Sequence, residues 1–330
     1  MTASPQLDGW VPIRFYWQDH TPLLDWCFFN GVRFTEPFFG QTVHRCLRTP
    51  FNLVFRHQTS MEVLHARHQA QPGLTPAGFI FHVSRCGSTL LAQMLAAAPA
   101  NIVISEAGIL DSIIRAHLRQ PAISEEQQVN WLRWVISAMG QPRLNEQRLF
   151  IKFDAWNILD LPLIRRAFPQ VPWILLYRDP VEVLVSQMAR RGSHMIPGVQ
   201  DASIYGMDPA AALTVSPEEY CARVLSYTYE AALSNIPEGG RLINYRQLPG
   251  VLWEEVLAFY GTSFSEEEIE LMRAASHIDA KNPSTMFSSD KERKRQSATA
   301  NINEMAERWC YPVYERLESA RKDSRGISRG

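Results

Sequence analysis

The stretch Phe79-Ile80-Phe81-His82-Val83-Ser84-Arg85-Cys86-Gly87-Ser88-Thr89-Leu90-Leu91 constrains this chain more than any other. A short, almost unbroken apolar run suits a strand buried on both faces, as in a parallel sheet covered by helices. It ends in a tight Gly turn and leads into an Ala/Leu-rich helix, Leu90 to Ala98. Such a turn leaves backbone N–H groups unpaired at a helix N-terminus, where the dipole is positive. Arg85 adds a full charge, and Ser88 and Thr89 add hydroxyl donors. The turn therefore reads as a cradle for a phosphate. It is not the usual ATP or GTP loop, which needs a Gly five residues before the second Gly and a Lys after it. Here the preceding Gly is Gly78, and Ser88 stands in the lysine's place.

A second segment, Val171 to Pro180, reads as another buried strand ending in Arg178-Asp179-Pro180. Asp179 suits the cap and Pro180 the first turn of a following helix, Val181 to Arg190. Arg178 at the strand end and Ser186 two turns into that helix can converge on one further anion.

These two segments together resemble the sulfotransferases that use 3′-phosphoadenosine 5′-phosphosulfate (PAPS). That family carries a phosphosulfate loop on its first strand–turn–helix. It also carries a 3′-phosphate motif, an Arg at a strand end with a Ser eight residues later. Arg85, Ser88 and Thr89 match the first motif, and Arg178 with Ser186 the second. The resemblance covers about residues 76 to 320, with Ser84 replacing the usual Pro and Cys86 the usual Ser. Ser105-Glu106 is most similar to the protein-tyrosine sulfotransferase and related bacterial branch.

The resemblance implies an α/β three-layer sandwich with a central parallel sheet and a P-loop-like turn. It implies that Arg85, Cys86, Gly87, Ser88 and Thr89 hold the phosphosulfate and that Arg178 and Ser186 hold the 3′-phosphate. Glu106 becomes the general base for an acceptor hydroxyl or amine, and Lys152 the contact to the bridging oxygen. A basic segment near the C-terminus closes over the nucleotide in relatives, which makes Lys294 and Arg295 candidates here. PAP would be the product, with no metal. The acceptor, whether small molecule, sugar or peptide, is not readable from the sequence, and neither is oligomeric state.

The residues alone admit plainer readings. Glu106 follows an apolar strand, Ile102 to Ser105, and could simply cap a helix over Ala107–Leu118. Lys152, in Phe150-Ile151-Lys152-Phe153, could snorkel from a strand end. Lys291 to Arg295 could be a solvated loop. His82 reads as a hydrogen-bonded core histidine. His194 reads as either an exposed loop residue or part of an acceptor pocket. A small-molecule kinase or a non-catalytic nucleotide binder remain alternatives. Cys86, beside Arg85 at a helix N-terminus, is expected to be a reactive thiol.

Alternating strands and helices after residue 76 argue for a parallel sheet with ligands at its carboxyl ends. Residues 1–75 read as an aromatic-rich extension packed on an α/β domain at 76–330, with a helix near Phe38 to Leu47. A net charge of −1 gives no global field to recruit nucleic acid or acidic membrane. No apolar run is long enough to span a bilayer, and no segment reads as a signal peptide. Five scattered cysteines without metal spacing fit a reducing cytoplasm.

Overall fold

The computed structural model describes residues 7–236, 239–278 and 291–326. Its larger sheet has five parallel strands: β4 (Pro76–His82), β5 (Asn101–Ser105), β6 (Arg148–Lys152), β7 (Trp173–Tyr177) and β8 (Gly240–Asn244). They lie in the order β5-β6-β4-β7-β8. The expected α/β class is the one observed. The central strands are apolar on both faces: Phe79, Ile80 and Phe81 in β4 and every residue of β7 are buried. Helices supply the cover. They include α4 (Ser88–Ala97), α5 (Gly108–Ile114), α6 (Ala116–Arg119), α7 (Glu125–Met139), α8 (Leu161–Ala167) and α9 (Pro180–Ala189).

Strand order decides where ligands can go. The chain leaves β4 toward β5 on one side and leaves β7 toward β8 on the other. The crevice between the carboxyl ends of β4 and β7 is thus the topological switch point. Register brings other ends level with it, since Lys152 pairs with both Ile80 and Ser105.

The N-terminal region forms its own antiparallel sheet, β1 (Trp10–Gln18), β2 (Thr21–Phe28) and β3 (His57–Ser60). Three helices accompany it: α1 (Phe39–Leu47), α2 (Pro50–Val54) and α3 (Met61–Ala70). The sequence predicts α1 but not the hairpin. Gln18 pairs with Thr21 across a two-residue turn, Asp19-His20, with φ of +46° and +66°. Such turns favour Asn-Gly or Asp-Gly, so a histidine there hid the signal. Phe15 and Trp17 pack on Trp131 of α7, with ring centroids 5.6 and 6.1 Å apart.

Two expectations need correction. The single helix expected over Ala107–Leu118 is broken at Arg115 into α5 and α6. The basic segment is not a loop, because Lys291–Gln296 is helical. Lys, Glu, Arg and Gln are all strong helix formers, and propensity prevails over charge clustering here.

Candidate active site

A cavity of about 390 Å³ opens at the carboxyl end of β4, lined by Ser84, Arg85, Ser88 and Thr89 on one side and by Glu106, Asp154, Trp156 and His194 on the other. The loop that builds its first wall is tightly wound. Ser84 and Arg85 take φ of +65° and +54°, and Gly87 follows at +85° as the N-cap of α4. No side chain caps α4, so its first N–H groups keep their anion-binding character. Gly87 is required twice over. Its φ is left-handed, and a Cβ there would sit 2.8 Å from the Tyr245 ring and 2.9 Å from Leu248. The Arg85 guanidinium lines the cavity and donates to the carbonyl of Arg190.

Cys86 departs from expectation. Its side chain points away from the anion loop's mouth: it is fully buried, and Sγ donates to the Leu176 carbonyl at 3.1 Å. Burial pushes its thiol up, outweighing the backbone N–H groups of the loop. The activated thiol expected from proximity to Arg85 is therefore absent, and only the backbone of Cys86 remains available to an anion.

The second wall is a charge cluster. Lys152, at the end of β6, is completely buried, and its ammonium pairs with Glu106 Oε1. The Phe38 ring, just ahead of α1, lies 5.3 Å from Lys152 Nζ, so the N-terminal region contributes directly to this wall. Glu106 is not a helix cap: Ala107 occupies the cap of α5, with no side-chain bond. Glu106 instead sits at φ +51°, its N–H donating to the Lys152 carbonyl at 2.8 Å. His82, at the end of β4, brings Nε2 to 3.2 Å from the same Oε1. Burial works to raise the Glu106 carboxyl, but Lys152 and His82 outweigh it and hold the group far below the usual carboxylate range.

Two further titratable groups face Glu106. His194 is buried, contrary to an exposed-loop reading, with its ring 5.3 Å from that of Trp156. Burial, with His82 and Arg85 nearby, pushes it down to about 4 despite Glu106. Asp154 is pushed up to about 7 by burial, then by Glu106 and Asp111. Its N–H donates to Asn157 Oδ1 at 3.2 Å, opening the 3₁₀ turn Ala155–Asp160.

Arg178 and Ser186 are not part of this cavity's lining. Arg178 is buried at the end of β7, with Nε donating to Glu182 Oε2 at 2.6 Å. Its guanidinium lies 4.0 Å from the centre of the Tyr245 ring, the ring that also walls Gly87. Asp179 caps α9 and takes Arg295 at 3.0 Å and Arg246 at 3.5 Å. Arg295 thus reaches the Arg178 cluster from the helix Lys291–Gln296, one residue after Lys294. Sequence reading passed over Phe38, Trp156 and Arg190, because nothing in their neighbourhoods marks them as facing a shared cavity.

No family model matches the chain, and no curated protein does. Among solved structures it resembles the sulfotransferase domain of the Synechococcus PCC 7002 olefin synthase, at 18% identity and TM-score 0.39 over 73% of this chain and 96% of that one. It also resembles a sulfotransferase from Mycobacterium avium, at 12% identity and TM-score 0.47 over 78% and 81% of the two chains. A third is a sulfotransferase from Alicyclobacillus acidocaldarius, at 15% and 0.40 over 76% and 96%. Likenesses this loose leave the chemistry to be read from the side chains themselves.

Proposed function

We propose that this chain is a sulfotransferase that moves a sulfuryl group from PAPS to an acceptor hydroxyl or amine. The observation that carries the reading is that Glu106, paired to the buried Lys152, lines one cavity with the anion loop of Arg85, Ser88 and Thr89. Bound PAPS would supply an activated sulfuryl group on a phosphate leaving group. The residues fit it: the α4 N-terminus is uncapped by any side chain, Arg85, Arg190 and Arg191 line the cavity, and Lys152 is buried against Glu106.

Arg85 and the loop N–H groups would hold the phosphosulfate, which a planar guanidinium does bidentately. Glu106 would take the acceptor proton as the acceptor oxygen or nitrogen bonds to sulfur. The electron pair of the broken S–O bond goes to the phosphate oxygen, where Lys152 would offset the growing charge. Arg178 and Ser186, with Arg295 and Lys294 nearby, would receive the 3′-phosphate. The acceptor would meet the aromatic edges of Phe38 and Trp156. Such chemistry is positioning plus electrostatics, as in phosphoryl transfer. Five buried, unpaired cysteines suit a reducing compartment, and we place the enzyme in the cytoplasm.

Calorimetry with PAP, Mg-ATP and GTP tests the reading. Metal-independent binding of PAP is expected; a preference for Mg-ATP would overturn it in favour of a kinase. A mass-shift screen of a metabolite extract supplied with PAPS then identifies the acceptor, as an added SO₃.

A further inference from the structure

We infer that His82 is a positioning residue, keeping the Glu106 carboxylate aimed at the cavity when Lys152 is drawn to the leaving phosphate. The inference rests on the sulfotransferase reading above. His82 ends β4 and is buried. Its Nδ1 lies 3.0 Å from the backbone N–H of Ser84 and must accept that bond. A neutral ring accepting at Nδ1 carries its proton on Nε2. Nε2 lies 3.2 Å from Glu106 Oε1, within ion-pair reach but short of hydrogen-bond geometry, and makes no hydrogen bond among the described residues. The tautomer is thus fixed by the anion loop itself, and the N–H that results is an unspent donor beside the candidate base.

At Oε1, Glu106 therefore has one anchor in place, Lys152, and one unspent donor close by, His82. The two differ in kind. Lys152 is a full charge that the reaction needs elsewhere. As long as it stays on Glu106, it makes that carboxylate a poor base. His82 is neutral, because burial and the nearby Lys152 both disfavour its protonation. It can hold the carboxylate without quenching it to the same degree. As Lys152 turns to a phosphate, Glu106 gains basicity and His82 alone keeps its direction. Cofactor binding and base activation are then coupled through one ring that touches both loop and base. The other titratable groups facing Glu106 are Asp154, at the start of the 3₁₀ turn, and His194. Neither is bonded to it.

The test uses the full chain, with PAPS as donor and water as acceptor, read as PAP released. His82→Phe keeps the ring's bulk and removes the donor. Turnover should fall by up to about 10²-fold, as for a misplaced catalytic group, while PAP affinity stays within about threefold. The acid limb of the pH–rate profile should move to higher pH, because a hydrogen bond to the charged form is lost. His82→Gln restores an N–H at similar reach and should recover most of both. Nitrogen NMR of the wild-type histidine rings should find His82 protonated on Nε2. Protonation on Nδ1 overturns the inference even if His82→Phe does not fold. Wild-type turnover and an unmoved acid limb in His82→Phe also overturn it, and leave the sulfotransferase reading intact. Failure of the wild type to bind PAP instead overturns that reading, and the inference with it.

Discussion

Two arginines end neighbouring strands of one sheet, and their surroundings differ. Arg85 follows β4 in a strained loop and lines an open cavity, where Arg190 and Arg191 add further positive charge. Arg178 follows β7, is buried, and already holds a carboxylate one helical turn away, Glu182. The second cluster sets three guanidinium groups, of Arg178, Arg246 and Arg295, against two buried carboxylates, Asp179 and Glu182. A phosphate there would join a network already partly neutralised. At Arg85 it would meet cations facing open space. The first region is suited to a group that changes charge during a reaction, the second to one that is only held.

The sharpest break in this comparison comes from Glu106. Glu106→Gln keeps shape and loses basicity. Release of PAP from PAPS should fall by roughly 10²–10⁴, with PAP affinity near wild type. Near-normal turnover would remove Glu106 from the chemistry and leave the cavity side as passive as the Arg178 side.

The same substitution tests how deeply the pair is built into the fold. Lys152 is fully buried, so Glu106→Gln strands its charge; breaking a buried pair costs about 3–5 kcal/mol. Melting temperature should drop, and Glu106→Gln combined with Lys152→Met should recover most of it while remaining inactive. The pH dependence has a definite sign. Glu106 is depressed in the folded state, so its contribution is complete above the unfolded carboxyl value of about 4.3 and is lost as pH falls below it. Thermal scans should therefore show a shallower acid-side loss in the double variant than in wild type. Equal slopes would mean the ion pair contributes nothing to stability.

Arg178→Lys sharpens the other half of the comparison. It leaves a cation for Glu182 but loses the planar fork. A lost charged hydrogen bond is worth about 1.5–3 kcal/mol, roughly 10- to 150-fold in affinity. PAP binding should weaken by that order while 5′-AMP, which lacks the 3′-phosphate, is little affected. Equal loss for both ligands, measured by calorimetry, would take Arg178 out of the 3′-phosphate site.

Much of this frame was legible, because strand burial and helix caps are local. The buried run at Phe79–Phe81, the strand at Trp173–Tyr177 and the Asp179 cap of α9 all declare themselves in a few residues. Partnership across the sheet does not. Glu106 could be read as a cap or a base because the partner that decides between them, Lys152, lies 46 residues later, at the end of the next strand. Phe38 was read as part of a helical, aromatic extension, and only the packing of that extension brings it over Lys152. His82 looked like an ordinary core histidine, since the bond that fixes its tautomer depends on the left-handed turn at Ser84.

Cys86 gives the smallest expected effect and shows how local reasoning misleads inside an otherwise legible loop. A thiol next to an arginine and a helix N-terminus should be acidified, and sequence proximity supports that. The strand pairing of β4 with β7 instead turns the side chain onto the Leu176 carbonyl, away from water. Desolvation then outweighs the loop's N–H groups and raises the thiol. Native protein treated with iodoacetamide at mildly alkaline pH should keep its PAP affinity and show no label at Cys86 by peptide mass spectrometry. Unfolding in urea should expose it to labelling. Rapid native modification that PAP prevents would place the thiol in the cavity after all. It would also erase the contrast between a loop that binds through its backbone and one that also presents a nucleophile.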